Sequence, residues 1–421
     1  MAGATRSQPW RREEENGVGM TQQSAASNDQ ARLELIDGLR GFALMGLFLV
    51  HAVELFELYW VHPVPDPWFD ATMAIFAGKA FSLFALCFGL SFSIIMDRTR
   101  RRGVDFRGRF AWRLALLFLI GLAHGLVYRG DILQVLAAAG LVLLLFDRIR
   151  DNRLLLLLAF LILLQAPLAV QIVAAHDGAA WTSATPLFMT DGSLAAVADA
   201  SFVELVRANA VDGQLAKWSF YLSTGRVAQI IGLFLIGLFL GRIGFFERPD
   251  AFVRPRRIVL AAAAALAVAL MLAKPALNAA IAPEGAPAAA GQALDWMLSG
   301  WIAIALMAVQ LILFVELYQS AAQPLLRLLA PVGRMTLTLY VGQSLLFVPV
   351  FYGFGLGWHD DISEAQALGL GIVAFLVQIA LARLWFRHFH YGPLEWLWRA
   401  ATWLRVDIPF RRRPSPVPQA A

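Results

Sequence analysis

Ten apolar runs divide this chain, and no other feature of the sequence restricts its fold so strongly. A hydrocarbon layer is about 30 Å thick, so an α-helix rising 1.5 Å per residue needs about 20 apolar residues to cross it. Runs of that order fall at roughly 35–55, 71–96, 110–128, 131–147, 153–173, 222–245, 258–281, 296–317, 333–353 and 366–387. Hydrophobic residues make up 59% of the 421 residues and charged residues 15%, with a mean hydropathy of +0.63. A soluble domain carries far more charge. The sequence therefore predicts an all-α fold, a polytopic integral membrane bundle of about ten transmembrane helices.

The net charge of +5 would suit a nucleic-acid partner, but the arginines lie in short clusters between apolar runs and form no single basic face. "DRTRRRGVDFRGR", "DRIRDNR", "ERPDAFVRPRR", Arg327 with Arg334, and "FRRRPS" follow every second run, whereas 56–70, 282–295 and "GWHDDISE" are poor in Lys and Arg. Short cytoplasmic connections are enriched in these residues, so both termini are expected in the cytoplasm and the 174–220 loop outside. An amphipathic helix near 199–209 is expected within that loop. Residues 1–30 are polar, lack an apolar signal region and read as a disordered tail, with Met20 an alternative start. After the bundle at 33–390, residues 391–406 read as an amphipathic helix on the inner interface, opened by Pro393, and 407–421 as a basic disordered tail.

Several ionisable groups lie inside this frame. Successive helix positions turn by about 100°, so Asp37, Arg40, Leu44, Leu47, His51 and Glu54 form one stripe on the first helix. Charges in hydrocarbon cost about 2.5 kcal/mol or more each, and their retention marks a pathway or a site. The second helix carries Lys79 near the outer side, and the third ends with His124 before Arg129 and Asp131. His51, Glu54, Lys79, His124 and Asp131 are thus expected at similar depth near the outer face. The plainer reading is an interfacial Asp37–Arg40 pair, a snorkelling Lys79 and a capping Asp131. At the inner side Arg40, Arg113 and Arg334 are candidates to receive an anionic ligand, with Arg109 and Arg242 nearby. The lone Cys87 gives no thiol-pair chemistry. No phosphate-binding Gly-rich loop, HExxH or CxxC pattern occurs, and His388 and His390 read as interfacial, so no metal site is predicted.

"IDGLRGFALMGLFLVH", "FSLFALCFG", "GLAHGLVYRGDILQVLAAAGLVLL", "IIGLFLIGLFLGRIGFF", "VGRMTLTLYVGQSLL" and "YGPLEWLWR" resemble the YeiB-like bacterial membrane proteins, whose shared part is a domain of unassigned function. The resemblance spans about residues 33–405. The first helix is also similar to that of the transmembrane acyltransferases that acetylate cell-envelope polysaccharides and lysosomal heparan sulfate. In those enzymes an Arg and a His with ten residues between them are functional, and Arg40 and His51 have that separation. YeiB-like proteins often carry Asn where this chain has His51, and Asn in place of Leu339.

What the resemblance implies is a membrane O-acyltransferase in the bacterial inner membrane. Acyl-CoA would be the donor substrate, with no bound cofactor, its phosphates near Arg40, Arg113 and Arg334. An envelope glycan or lipid hydroxyl would be the acceptor. His51 would be the base, oriented by Glu54, with Lys79 or His124 stabilising the oxyanion. The alternative is a transporter or permease for a small solute or lipid that uses the same charges as a relay. Against it, neither an inverted repeat between the two five-helix halves nor a pair of Pro/Gly-broken helices near mid-membrane is apparent in the sequence.

Overall fold

Apolar runs joined by short turns leave backbone groups to be satisfied within each segment, and helices result. The computed structural model describes residues 34–412. Chain order is α1 (Glu34–Val53), α2 (Pro67–Phe76), α3 (Lys79–Arg101), α4 (Arg107–Gly125), α5 (Leu133–Phe146), α6 (Asn152–Leu163) and α7 (Ala166–His176). The short α8 (Leu187–Thr190) and α9 (Ser193–Ala198) lead to α10 (Phe202–Ser223), α11 (Arg226–Arg242), α12 (Val253–Ile281) and α13 (Ala288–Tyr318). The short α14 (Gln323–Leu326) and α15 (Ala330–Arg334) precede α16 (Thr336–Phe351), α17 (Glu364–His388) and α18 (Pro393–Trp403). Among the described residues the only strand-like pairing is a single bridge between Phe389 and Arg411.

Ten spans is an overcount. Six helical segments among the described residues are long and apolar enough to cross a membrane, or eight if each of two bent pairs is one span. The two runs that fail are the third and fourth. α4 carries Arg109 and Arg113 within its 19 residues, and α5 has only 14 residues, about 21 Å of helix. Two helix pairs are bent: α10 and α11 meet at 66°, and the α14–α15 segment meets α16 at 79°, each break falling at the end of an expected span and not at its middle. Gly225, with φ of 72°, supplies the first break. The chain is a multi-pass helical membrane protein.

Burial ranks the helices. The apolar window of α1 is 72% buried, against 11% for the segment that includes α12 and 22% for α17, which puts α1 at the centre and the other two on the lipid-facing perimeter. α3 and α11 share the tightest seam. A Cβ at Gly89 would collide with the Phe234 carbonyl, and one at Gly237 with the Leu86 carbonyl. Small residues let apolar helices approach where no water-driven force separates them from lipid.

The segment expected as an outer loop at 174–220 is largely helix. α10 begins at a capping box between Ser201 and Glu204 and runs 22 residues. Asn209, Gly213, Lys217 and Tyr221, spaced by four, form its buried face. Pro393 does open α18. That helix docks on the bundle: Trp398 Nε1 donates to the Arg113 carbonyl at 2.8 Å. Glu395 accepts the Leu337 and Thr338 amides at 2.8 and 3.1 Å, capping α16. Burial pushes the Glu395 carboxyl above its ordinary range, although those bonds oppose the shift. Residues 407–412 also depart from the expected tail, since His390 N donates to the Phe410 carbonyl at 2.9 Å and Arg412 N to the His388 carbonyl at 2.8 Å. The tails at 1–30 and 413–421 lie outside the described residues.

Candidate functional site

The end of α1 builds the site. Phe56 N donates to the His51 carbonyl at 2.8 Å and Leu55 N to the Ala52 carbonyl at 3.0 Å, the two bonds of a Schellman cap. Glycine usually fills its left-handed position, but here Leu55, Phe56 and Glu57 follow one another with φ of 49°, 52° and 86°. Each such residue costs on the order of 1–2 kcal/mol for an L-amino acid. Packing offsets the strain. The Phe56 ring lies 5.8 Å from Phe347, 6.0 Å from Phe351 and 5.3 Å from Tyr128. The Tyr352 hydroxyl donates to the Phe56 carbonyl at 3.1 Å. Over-determined strain of this kind concentrates at functional sites.

The curl turns Glu57 back towards the helix it has just left. Tyr128 Oη lies 2.8 Å from His51 Nδ1 and 3.2 Å from Glu57 Oε1. Glu54 Oε2 is 3.6 Å from the same His51 nitrogen, and its other oxygen accepts from Trp60 Nε1 at 3.1 Å. With the Tyr128 hydroxyl donating to Glu57, Nδ1–H of His51 donates to the Tyr128 oxygen, which leaves Nε2 with a free lone pair. The His51 side chain is 15% exposed. Burial, and then the charge of Glu54, push the Glu57 carboxyl up to about 7.

The second predicted histidine is sealed. His124 Nδ1 lies 2.8 Å from Asp131 Oδ1, with side chains 1% and 0% exposed. Asp131 Oδ2 also accepts the Gln134 amide at 3.2 Å, so it caps the start of α5 as well. His124 Nε2 has no partner among the described residues, nor do Lys217 Nζ, Gln214 Nε2 and Asn209 Oδ1. A Cβ at Gly125 would touch Gln214 at 2.8 Å, Gln134 at 2.9 Å and Lys217 at 3.5 Å. Tyr128 stands between the two histidines, with ring centroids 5.2 Å from His51 and 5.9 Å from His124.

Of the predicted outer residues, the structure thus joins His51 to Glu54 and His124 to Asp131, with Tyr128 linking the pairs. Lys79 is engaged elsewhere. Its ammonium donates to the Met73 carbonyl at 2.9 Å across the α2–α3 break, and it lines a cavity of about 380 Å³ with Lys274 and Ser299. Arg226 is the cation near Glu54, stacked 5.2 Å from both Phe81 and Phe220.

At the opposite end Arg40 bonds Asp37 at 2.9 Å and also Ser91. Arg113 lies 3.5 Å over Trp398 and Arg334 4.0 Å over Phe386. Arg40 and Arg334 both act on Asp37, and Arg40 acts on Arg113. These three candidates share a neighbourhood, each with its guanidinium already stacked or paired.

One ligand atom each of His51, Glu54 and Glu57 lies within 4.8 Å of the others, a spacing at which they could share a cation. Sequence reading missed Glu57, Tyr128, Lys217 and Arg226. The regular interval His51, Glu54, Glu57 was a usable signal for the first, and the four-residue interval Asn209, Gly213, Lys217 for the third.

Residues 32–192 match the family described as heparan-alpha-glucosaminide N-acetyltransferase, catalytic. Residues 240–405 match a family described as a protein of unknown function, DUF418. Whole-chain relatives agree with the second. YeiB of Escherichia coli is 27% identical over 87% of this chain and 95% of its own length. The chain is a relative of the YeiB-like proteins. YxaH of Bacillus subtilis is 26% identical over 89% of this chain and 94% of its own length. A 39.9 kDa protein from the amylase 3′ region of Bacillus acidopullulyticus matches equally, at 26%, 89% and 94%. The match to the acetyltransferase family covers α1 to α8, and His51, Tyr128, His124 and Asp131 all fall within it.

Proposed function

We propose that this protein is an integral membrane acyltransferase of the bacterial inner membrane, with its arginine-rich end in the cytoplasm. The observation that carries the reading is a coincidence of place. The segment matching an acetyltransferase catalytic family is the one that holds a partly exposed imidazole between Tyr128 and Glu54. Acyl-CoA enters from the cytoplasm with its phosphates at Arg40, Arg113 and Arg334, because guanidinium groups bind phosphate with paired hydrogen bonds. His51 Nε2 takes the proton of an envelope glycan or lipid hydroxyl, and that oxygen attacks the thioester carbonyl. As the tetrahedral intermediate collapses the C–S bond breaks, and the imidazolium returns its proton to the departing thiolate. Tyr128 and Glu54 keep the ring in the tautomer that accepts at Nε2. Arg226, near Glu54, is available to the oxyanion.

A transporter or permease is the second reading, favoured by the two bent helix pairs, since discontinuous helices build the sites of many transporters. Labelled acyl-CoA separates the two. The purified wild-type chain is expected to bind or slowly hydrolyse it and to label an acceptor, and His51→Ala to lose labelling at an unchanged protein level. Retained labelling in His51→Ala overturns the assignment of the base. Neither binding nor hydrolysis by the wild type overturns acyl transfer and leaves the transporter.

A further inference from the structure

A second polar feature lies at the arginine-rich end of the bundle, where the ends of α3, α4, α5, α6 and α11 meet around a cavity of about 470 Å³. Arg100, Arg107, Arg148, Arg150 and Arg242 line it. Asp147 is the acidic group among the lining residues. It accepts from Arg100 at 3.2 Å and lies 3.9 Å from Arg242. Arg242 is also anchored to the Ile149 and Asp147 carbonyls at 2.6 and 3.2 Å. Asp105, beside the cavity, pairs with Arg107 at 3.6 Å. Five arginines against Asp147, Asp105 and Asp151, which caps α6 between Arg150 and Asn152, leave two positive charges uncompensated. The exposed side chains of Arg148 and Arg150 have no hydrogen-bond or ion-pair partner among the described residues.

Like charges gathered in one concavity repel each other, and an anion among them offsets that repulsion. The backbone adds to the attraction. Arg107 and Asn152 are the first residues of α4 and α6, so the positive dipole ends of two helices stand at the cavity wall, with the Arg107 amide taken by Asp105 and the Arg153 amide by Asp151. Asn152 Oδ1 is buried without a partner among the described residues, a neutral acceptor beside the Asp147 carboxylate, and a hydroxyl would satisfy it. The positive-inside tendency accounts for arginines at this end. It does not account for five of them turned into one cavity with a hydrogen-bond acceptor in its wall.

We infer that this cavity binds a ligand with at least two phosphate groups and a hydroxyl between or beside them, by way of Arg100, Arg148, Arg150 and Arg242 with Asn152 on the hydroxyl. A diphosphatidylglycerol headgroup from the adjoining leaflet and a soluble sugar bisphosphate both have that chemistry. The volume suits either, within the roughly 300–1,000 Å³ of small-molecule pockets.

The test uses the full chain in an uncharged detergent, with binding of diphosphatidylglycerol followed by native mass spectrometry and binding of fructose 1,6-bisphosphate by calorimetry. At least one probe is expected to bind saturably, with affinity that falls as salt rises, and Arg148→Gln with Arg150→Gln to weaken it tenfold or more without lowering the melting temperature. Arg254 and Arg257, exposed on α12, give a control of equal charge change, Arg254→Gln with Arg257→Gln, which is expected to leave binding intact. Saturable lipid binding alone assigns the cavity to a headgroup, and bisphosphate binding assigns it to a soluble ligand. If neither probe saturates, or the control pair loses as much as the cavity pair, the inference is overturned.

Discussion

His51 and His124 flank the same tyrosine, yet their surroundings differ in almost every physical respect. His124 has an acid–base pair in good geometry, a carboxylate 2.8 Å from Nδ1, and almost no exposure. His51 has a looser acid at 3.6 Å, a phenol hydroxyl at 2.8 Å and a side chain 15% exposed. Geometry alone would favour His124 as the base. Access favours His51, since an acceptor has to reach the nitrogen, and His51 also sits on a strained turn that its surroundings hold in place. The contrast separates two uses of a buried imidazole: one fixes helix ends from within, and the other presents a lone pair at an accessible face.

The largest expected effect tests that division directly. His51→Ala should reduce acyl transfer by about 10²–10⁴, the usual range for loss of a general base, while the melting temperature changes little. Asp131→Ala should act in the opposite way. It removes one partner of a sealed pair and a helix cap, at about 3–5 kcal/mol, and a thermal melt in detergent would show a shift of several degrees with transfer per folded molecule retained. An Asp131→Ala protein that melts like the wild type but transfers nothing would exchange the two roles.

Tyr128→Phe comes next in size. The hydroxyl holds both His51 and Glu57, and its loss leaves the imidazole without its short contact. A hydrogen bond of this kind contributes about 0.5–1.5 kcal/mol, so transfer is expected to fall about tenfold, measured with labelled acyl-CoA. The effect should reside in turnover more than in donor affinity, because Tyr128 lies at the end of the bundle away from Arg40. An unchanged rate would mean that Glu54 alone orients the ring.

These expectations rest on features that were unequally legible in the sequence. The stripe from Asp37 to Glu54 could be read because helical periodicity fixes which side chains share a face. The contact of His124 with Asp131 was implied by a tight turn between consecutive runs. The three-residue interval pointed to Glu57, but its return towards His51 was hidden, because three successive left-handed residues without glycine leave no composition signal and depend on the distant rings of Phe347 and Phe351. Lys217 was hidden by the polarity of its own helix, which reads as an outer loop until Asn209, Gly213 and Tyr221 are seen to be buried. The span count failed where helix length and arginine content ran against hydropathy, in α4 and α5. Lys79 was read as one of the outer polar group, and nothing in the sequence signalled that the broken backbone at Gly78 would hand its ammonium the Met73 carbonyl to cap.

The smallest expected effect, and the one that sharpens the comparison most, is in the pH dependence of Glu57→Gln. Burial and the neighbouring Glu54 raise the Glu57 carboxyl from an ordinary 4.5 to about 7 in the folded chain. A carboxyl with a raised folded-state pKa stabilises the fold while it stays protonated, below about 4.5, and that contribution is lost as pH rises through about 7. Glutamine carries no such charge and still offers an oxygen to the Tyr128 hydroxyl. The variant should therefore melt close to the wild type at pH 5 and above it at pH 8, with the gap opening between those values. A gap that stays constant would mean that Glu57 is charged throughout, stabilised by a protonated His51. In that state the imidazole has no lone pair to act as base, and the functional contrast between the two histidines disappears.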